Sequence, residues 1–274
     1  MVLVNGPIGG DYSRMEISTE SWPIVELRRY TLHPGRRETL IALFDRELVE
    51  TQEVCGMQVI AQFRDIDNPD VFTWLRGFAD MESRKAALTA FYDGPAWCAH
   101  RDAANATMID SDNVRLLRPA NPASGLELAS ADRPGVDATS IPSGLIVVTI
   151  YTIAPHARAG FADFFDRVVA PEMIASSARP CAAFETEPSG NTFPRLPVRE
   201  GEHAFVWFAQ FADVAAYDRH VADLEASREW KERKRRLLER HFSAPAERWR
   251  LTPTARSLPL VCSDRYVTTD RAQQ

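Results

Sequence analysis

A chain of 274 residues with 45% hydrophobic and 26% charged residues has apolar material for one large core or two ordinary ones, which excludes wholesale disorder. Its net charge of -6 and sequence pI near 5.6 argue against nucleic acid as a main partner, because phosphate binding needs a basic field. No apolar run approaches the roughly 20 residues of a bilayer span, and Asp11, Arg14 and Glu16 stand where a secretory signal needs an apolar core; a cytoplasmic protein without membrane attachment is expected.

Residues 1–23 read as an N-terminal arm. From Ile24 to Leu32 apolar and polar residues alternate, which predicts a strand, and Leu40, Phe44 and Leu48 form the stripe of a helix. A short apolar run, Met57 to Phe63, precedes a second clear strand, Val71 to Phe78. A helix over about Ser83 to Arg101 and a last strand, Val114 to Leu117, complete the unit. Residues 120–143, rich in Pro, Ala, Ser and Asp, read as a linker.

The chain then repeats itself. Tyr30-Thr31 falls on Tyr151-Thr152, Pro34 on Pro155, and Phe44-Asp45-Arg46 on Phe165-Asp166-Arg167, at one constant offset. Trp74 falls on Trp207, Phe78-Ala79-Asp80 on Phe211-Ala212-Asp213 and Trp97 on Trp230, at an offset larger by twelve, which places an insertion in the Pro- and Gly-rich stretch Glu187 to Glu202. The order β-α-β-β-α-β occurs twice, so the expected class is α+β, built of two tandem ferredoxin-like repeats at 24–119 and 144–254 with a tail at 255–274. Such a sheet has helices on one face only; its other face needs cover, inside the chain or across a dimer.

The four cysteines, Cys55, Cys98, Cys181 and Cys262, are far apart without a CxxC or Cys/His pairing, so reduced thiols and no zinc are expected. Basic residues from Lys231 to Arg240 lie opposite a stripe of Trp230, Leu237, Leu238, His241 and Phe242, which predicts a solvated helix face.

In the first strand Glu26, Arg28 and Tyr30 share one face, and in its neighbour Phe72, Trp74, Arg76 and Phe78 share one. In the second copy Glu26 becomes Val147, Arg28 becomes Thr149 and Arg76 becomes Ala209, while Tyr30, Trp74 and Phe78 keep their aromatic character. Charges that the fold does without in one copy point to a local role: Glu26, Arg28, Tyr30, Trp74 and Arg76 are expected to line a ligand cavity between the sheets, unless they form a structural ion network. His100, near the end of the first-repeat helix, is a candidate proton carrier or a helix-end cation, and Asn105 a candidate amide contact. P-loop, GxSxG, HExxH and GxGxxG arrangements are absent.

The stretches "IVELRRYTLHPGRRETLIALF" and "VFTWLRGFADMESRKAALTAFYDGPAW", with the closing "NVRLLRP", resemble the NIPSNAP family of the dimeric α/β-barrel superfamily, closely over about 24–119 and more loosely over 145–254. The resemblance implies barrel-type sheets with helices outside and a homodimer or larger assembly. That superfamily includes cofactor-free monooxygenases, isomerases, haem enzymes and proteins known mainly for interactions. The residue set suits a cofactor-independent enzyme taking a proton from an anionic aromatic or enolisable small molecule, with Glu26 or His100 as base, Arg76 as electrostatic stabiliser, and Arg28, Tyr30, Trp74 and Asn105 holding substrate. A ligand-binding or interaction module is the alternative. A haem enzyme is another, with His203, His220 or His241 as ligand.

Overall fold

The computed structural model describes residues 22–128 and 132–262. The first repeat runs β1 Ile24–Leu32, α1 Arg37–Leu43, α2 Val49–Val54, β2 Gln58–Asp65, β3 Val71–Phe78, α3 Met81–Tyr92, α4 Pro95–Asn105, β4 Met108–Asp110 and β5 Val114–Pro119. A short β6, Glu127–Leu128, lies in the connection. The second repeat runs β7 Leu145–Thr152, α5 Phe161–Phe164, α6 Ala170–Ala175, β8 Arg179–Thr186, β9 Ala204–Phe211, α7 Val214–Ala226, α8 Arg235–Glu239 and β10 Glu247–Pro253, followed by β11 Leu260–Val261.

The repeated phrases have local causes. Both Phe-Asp-Arg segments open a five-residue π turn, Phe44–Leu48 and Phe165–Val169, between the two halves of the first helix of their repeat. Both Phe-Ala-Asp segments end a strand and cap the following helix: the Asp80 carboxylate accepts from Ser83 N at 2.6 Å, and that of Asp213 from Ala216 N at 2.7 Å. The single helix expected over Ser83 to Arg101 is broken at Asp93-Gly94-Pro95, where proline starts a new helix at its first position.

Each repeat is a four-stranded antiparallel sheet, ordered β2-β3-β1-β5 and β8-β9-β7-β10. Their edges join at β2–β10 and β5–β8, so eight strands close into one barrel within a single chain. No edge is left along those strands. No helix among the described residues is long and apolar enough to cross a membrane.

Closure decides which face points where, and it reverses the expectation from alternation. Val25, Leu27, Leu75, Val148, Val206 and Phe208 fill the barrel interior, whereas Glu26, Arg28, Tyr30, Trp74 and Arg76 lie on the outer face beneath the helices. The interior of an eight-stranded barrel is just wide enough for side chains to fill, and aliphatic residues with Phe63, Phe184, Phe208 and Trp249 fill it. The ionic groups take the layer under the helices. Trp22 closes one end of the barrel by lying against Gly77, where an added Cβ would come within 2.3 Å of the indole Cγ. Gly77→Ala is therefore expected to displace Trp22 and lower the unfolding free energy by roughly 1–3 kcal/mol, read from denaturant melts.

The connection and tail are also packed. Leu126, Leu128, Leu258 and Cys262 join the interior cluster, and Arg133 bonds to Glu53 and to the carbonyl of Arg256. The cysteine expectation is corrected here: Cys181 on β8 is disulfide-bonded to Cys262 beyond β11, while Cys55 and Cys98 are free. Spacing in sequence could not reveal a pair brought together by barrel closure across 81 residues. Thiol titration of the native protein should find two reactive groups and four after reduction. Cys262→Ser should cost about 2–4 kcal/mol.

Candidate functional site

In each repeat the space between sheet and helices is framed by the same aromatics: Tyr30, Trp74 and Phe78 in the first, Tyr151, Trp207 and Phe211 in the second. The frame is kept and the filling differs.

In the first repeat the filling is ionic. Glu26 binds three guanidinium groups: Arg28 Nη1 at 2.6 Å, Arg76 Nη2 at 2.8 Å and Arg84 Nη2 at 2.7 Å, with all four side chains no more than 1% exposed. Arg28 also donates to the Tyr30 hydroxyl at 2.8 Å, and Arg76 to Gln52 Oε1 at 3.0 Å. Gln52 is oriented by donating to Leu48 O, a carbonyl at the end of the π turn. Burial alone would raise the Glu26 carboxyl, but Arg76, Arg28 and Arg84 together hold it far below the ordinary carboxylate range. Loop residues 187–203 close this layer from above: Asn191 and Thr192 accept from Arg84 Nη1 at 3.1 and 3.2 Å, and Phe193 packs on Tyr92.

The expected site residues are thus partly gathered. Glu26, Arg28, Tyr30, Trp74 and Arg76 form one cluster, beneath the helices and not between sheets, with the geometry of an ion network. His100 and Asn105 are elsewhere. His100 Nε2 lies 3.4 Å from Glu47 Oε2 on a half-exposed helix face, and Asn105 is exposed at the end of α4. Arg84 was not anticipated, although its spacing to Ala87, Leu88 and Phe91 puts it on the buried face of α3.

In the second repeat the same layer is open. A cavity of about 680 Å³ lies where Val147, Thr149, Ala209 and Met173 replace Glu26, Arg28, Arg76 and Gln52. Removing the charged side chains leaves the volume. Its walls include Tyr151, Trp207, Phe211, Trp230 and Leu238, and its polar groups include Thr149, His220 and Arg248 together with the Arg235–Glu225 ion pair and Glu239.

His220 stands on α7 where the first repeat has Ala87. Its Nδ1 lies 3.0 Å from Ser176 O and 2.9 Å from Ser176 Oγ, while the Ser176 hydroxyl donates to Glu172 O at 2.8 Å. Facing a carbonyl, Nδ1 is assigned the proton, which leaves Nε2 as a lone pair without a partner among the described residues. Burial pushes this imidazole below its ordinary range, so it is uncharged at neutral pH. Arg248, opposite Thr149 on β10, makes no ion pair among the described residues, whereas its neighbour Arg250 pairs with Asp67. In the first repeat the cation comes from β1, as Arg28 opposite Val114; in the second it has moved to the adjacent strand. Burial raises the Tyr151 phenol, an effect that Arg248 and Trp207 offset in part.

The three histidines considered for haem do not converge. His203 lines a cavity at the base of loop 187–203, His241 lies stacked on Phe164 at 4.3 Å, and His220 alone lines the large cavity. On the basic helix Arg233 pairs with Glu229, Lys234 with Glu172 and Arg235 with Glu225, as expected for a solvated face.

Comparison with known proteins shows the fold. A proposed monooxygenase of Fusobacterium nucleatum superposes with a TM-score of 0.51 at 10% identity, over 89% of this chain and 95% of its own. An anthrone oxidase-like protein superposes with a TM-score of 0.53 at 10% identity, over 87% and 94%. An uncharacterised NIPSNAP-like domain protein of Burkholderia xenovorans is 24% identical over 36% of this chain and 87% of its own, with a TM-score of 0.34. No curated protein sequence matches the chain. The NIPSNAP family model matches residues 25–123, the stretch that forms the first repeat, and the chain therefore carries a NIPSNAP domain within a single-chain α/β barrel.

Proposed function

We propose that this protein is a cofactor-independent enzyme that removes a proton from an anionic aromatic or enolisable small molecule, and that its active site is the second-repeat cavity. The observation that carries the reading is the meeting, in one aromatic-walled cavity of about 680 Å³, of a solvent-facing guanidinium that has no ion-pair partner among the described residues and an uncharged imidazole whose Nε2 has no partner there either. A cavity of this size suits a ligand of two or three rings.

In this reading His220 Nε2 takes a proton from carbon, and the electron pair left behind moves into the adjoining carbonyl. Arg248 and the Thr149 hydroxyl hold the oxyanion that forms. The aromatic walls exclude water and strengthen both interactions. Return of the proton to another carbon completes an isomerisation. Alternatively the carbanion reduces O2: a CH2 group becomes C=O, one oxygen atom staying and the other leaving as water with both hydrogens. The oxygen branch agrees with the names of the two barrel neighbours.

The test is deuterium exchange by NMR and oxygen uptake with anthrones, 1,3-diketones and hydroxyaryl carboxylates in D2O. Exchange is expected with wild type, with a raised KM in Arg248→Met. Binding without exchange or oxygen uptake would leave a ligand-binding module and sink the enzyme reading. A Soret shift on adding haemin, lost in His220→Ala, would replace it with the haem reading.

A further inference from the structure

We propose that the first repeat holds a second and independent binding site, for a small doubly charged oxyanion, and that loop 187–203 of the second repeat is its lid.

The charge balance requires an explanation. Three guanidinium groups share Glu26, and among the described residues no other carboxylate lies within ion-pair distance of Arg28, Arg76 or Arg84. The cluster therefore carries an excess of two positive charges in side chains no more than 1% exposed. Buried charge without a counter-charge is costly, and nothing in the barrel needs it, because the second repeat fills the equivalent positions with Val147, Thr149, Ala209 and Tyr217. The remaining arginine donors are met by neutral acceptors: Gln52 Oε1 and Met57 Sδ on Arg76, Asn191 Oδ1 and Thr192 Oγ1 on Arg84. The Trp74 indole N–H, on a ring lying against Arg28 and Arg76, is buried without a hydrogen-bond partner, as is that of its counterpart Trp207; only in the first repeat does the idle N–H lie beside cations. A buried cationic cluster with an uncompensated excess, whose outer donors are met by neutral groups on a covering loop, is a pattern that suits an anion.

The loop is the element that could open it. Residues 187–203 replace the short 66–70 turn of the first repeat, and they pass over the β5–β8 seam to reach α3 and β5 of that repeat. Asn191 and Thr192 supply the neutral oxygens on Arg84, and Phe193 seals the pocket at 6% exposure. The loop is not packed solidly at its base, where a cavity of about 430 Å³ runs past Gly190 and Gly201. Gly201 has φ +78°, a conformation that glycine adopts freely. When the loop lifts, Arg84 is exposed first. Two anionic oxygens then replace those of Asn191 and Thr192, and Arg76 and the Trp74 N–H lie deeper in.

The test uses inorganic phosphate and malonate as probes, in an Arg248→Met background that removes the unpaired guanidinium of the second-repeat cavity. Melting temperature and calorimetric heat are recorded at constant ionic strength against chloride. Saturable binding at millimolar concentration is expected, weakened at least tenfold in Arg84→Met. Phe193→Ala should accelerate both association and release of phosphate in stopped flow, and it tests the lid even if Arg84→Met does not fold. A response no greater than that of chloride, or equal in Arg84→Met and its parent, would overturn the proposal. So would phosphate kinetics unchanged by Phe193→Ala. Neither result bears on the reaction proposed for the other repeat.

Discussion

Glu26→Gln is expected to lower the unfolding free energy by roughly 3–5 kcal/mol, the cost of stranding buried charge by removing its partner. The side chain keeps its size and one acceptor oxygen, so packing is preserved. What changes is that three buried guanidinium groups lose their one carboxylate. Removing a cation is a different matter. In Arg76→Met the thioether fills much of the space, Glu26 keeps Arg28 and Arg84, and the positive excess falls; little loss is expected. The asymmetry between these two variants separates this cluster from a balanced ion pair, in which either deletion would be harmful. The pH dependence has a definite sign. Glu26 is held far below the ordinary carboxylate range when folded, so the unfolded chain binds the proton more readily and stability rises with pH. Its contribution is complete above the ordinary carboxylate pKa of about 4.3 and declines as pH falls beneath it. Denaturant melts of wild type should show that decline, and Glu26→Gln should lack this part of it.

The β-α-β-β-α-β order and the internal repeat are legible because each rests on local signals: alternation, helical stripes, and the Phe-Ala-Asp cap written twice. The cluster of Glu26, Arg28 and Arg76 was also legible, since residues on facing strands at matched register must be neighbours. Its location was not. Alternation says that two faces differ, but which face becomes the interior depends on whether β2 finds β10, a pairing between distant segments that leaves no local mark. The same closure brings Cys181 and Cys262 together, whereas Arg248 comes beside Thr149 through the β10–β7 pairing inside the second repeat. The comparison of copies held the decisive clue to the cavity, taken with the opposite sign: the repeat that lost its charges is the one left with room. Arg248 could have been found from "ERWRL", where the arginines alternate with Trp249 and Leu251 and so oppose the interior face.

The largest expected effect on activity is that of His220→Ala, a fall in kcat of about 10²–10⁴ with little change in KM, as for loss of a general base that does not anchor the substrate. The fold should tolerate the change, because the equivalent position in the first repeat is already Ala87. The pH profile distinguishes a base from a wall residue. Burial lowers the folded-state pKa of His220, so the catalytically competent neutral form persists below the ordinary imidazole value of about 6.5. Wild-type kcat should stay level from neutral pH into the mildly acidic range and fall only beneath that value. His220→Ala should lose this acid limb along with the rate. Ser176→Ala supplies the finer test: it removes the hydroxyl beside Nδ1 but leaves the Ser176 carbonyl, which fixes the Nδ1–H tautomer, in place. Activity should then fall by less than tenfold with the limb retained. An unchanged profile in His220→Ala would move the proton transfer to another group in the cavity.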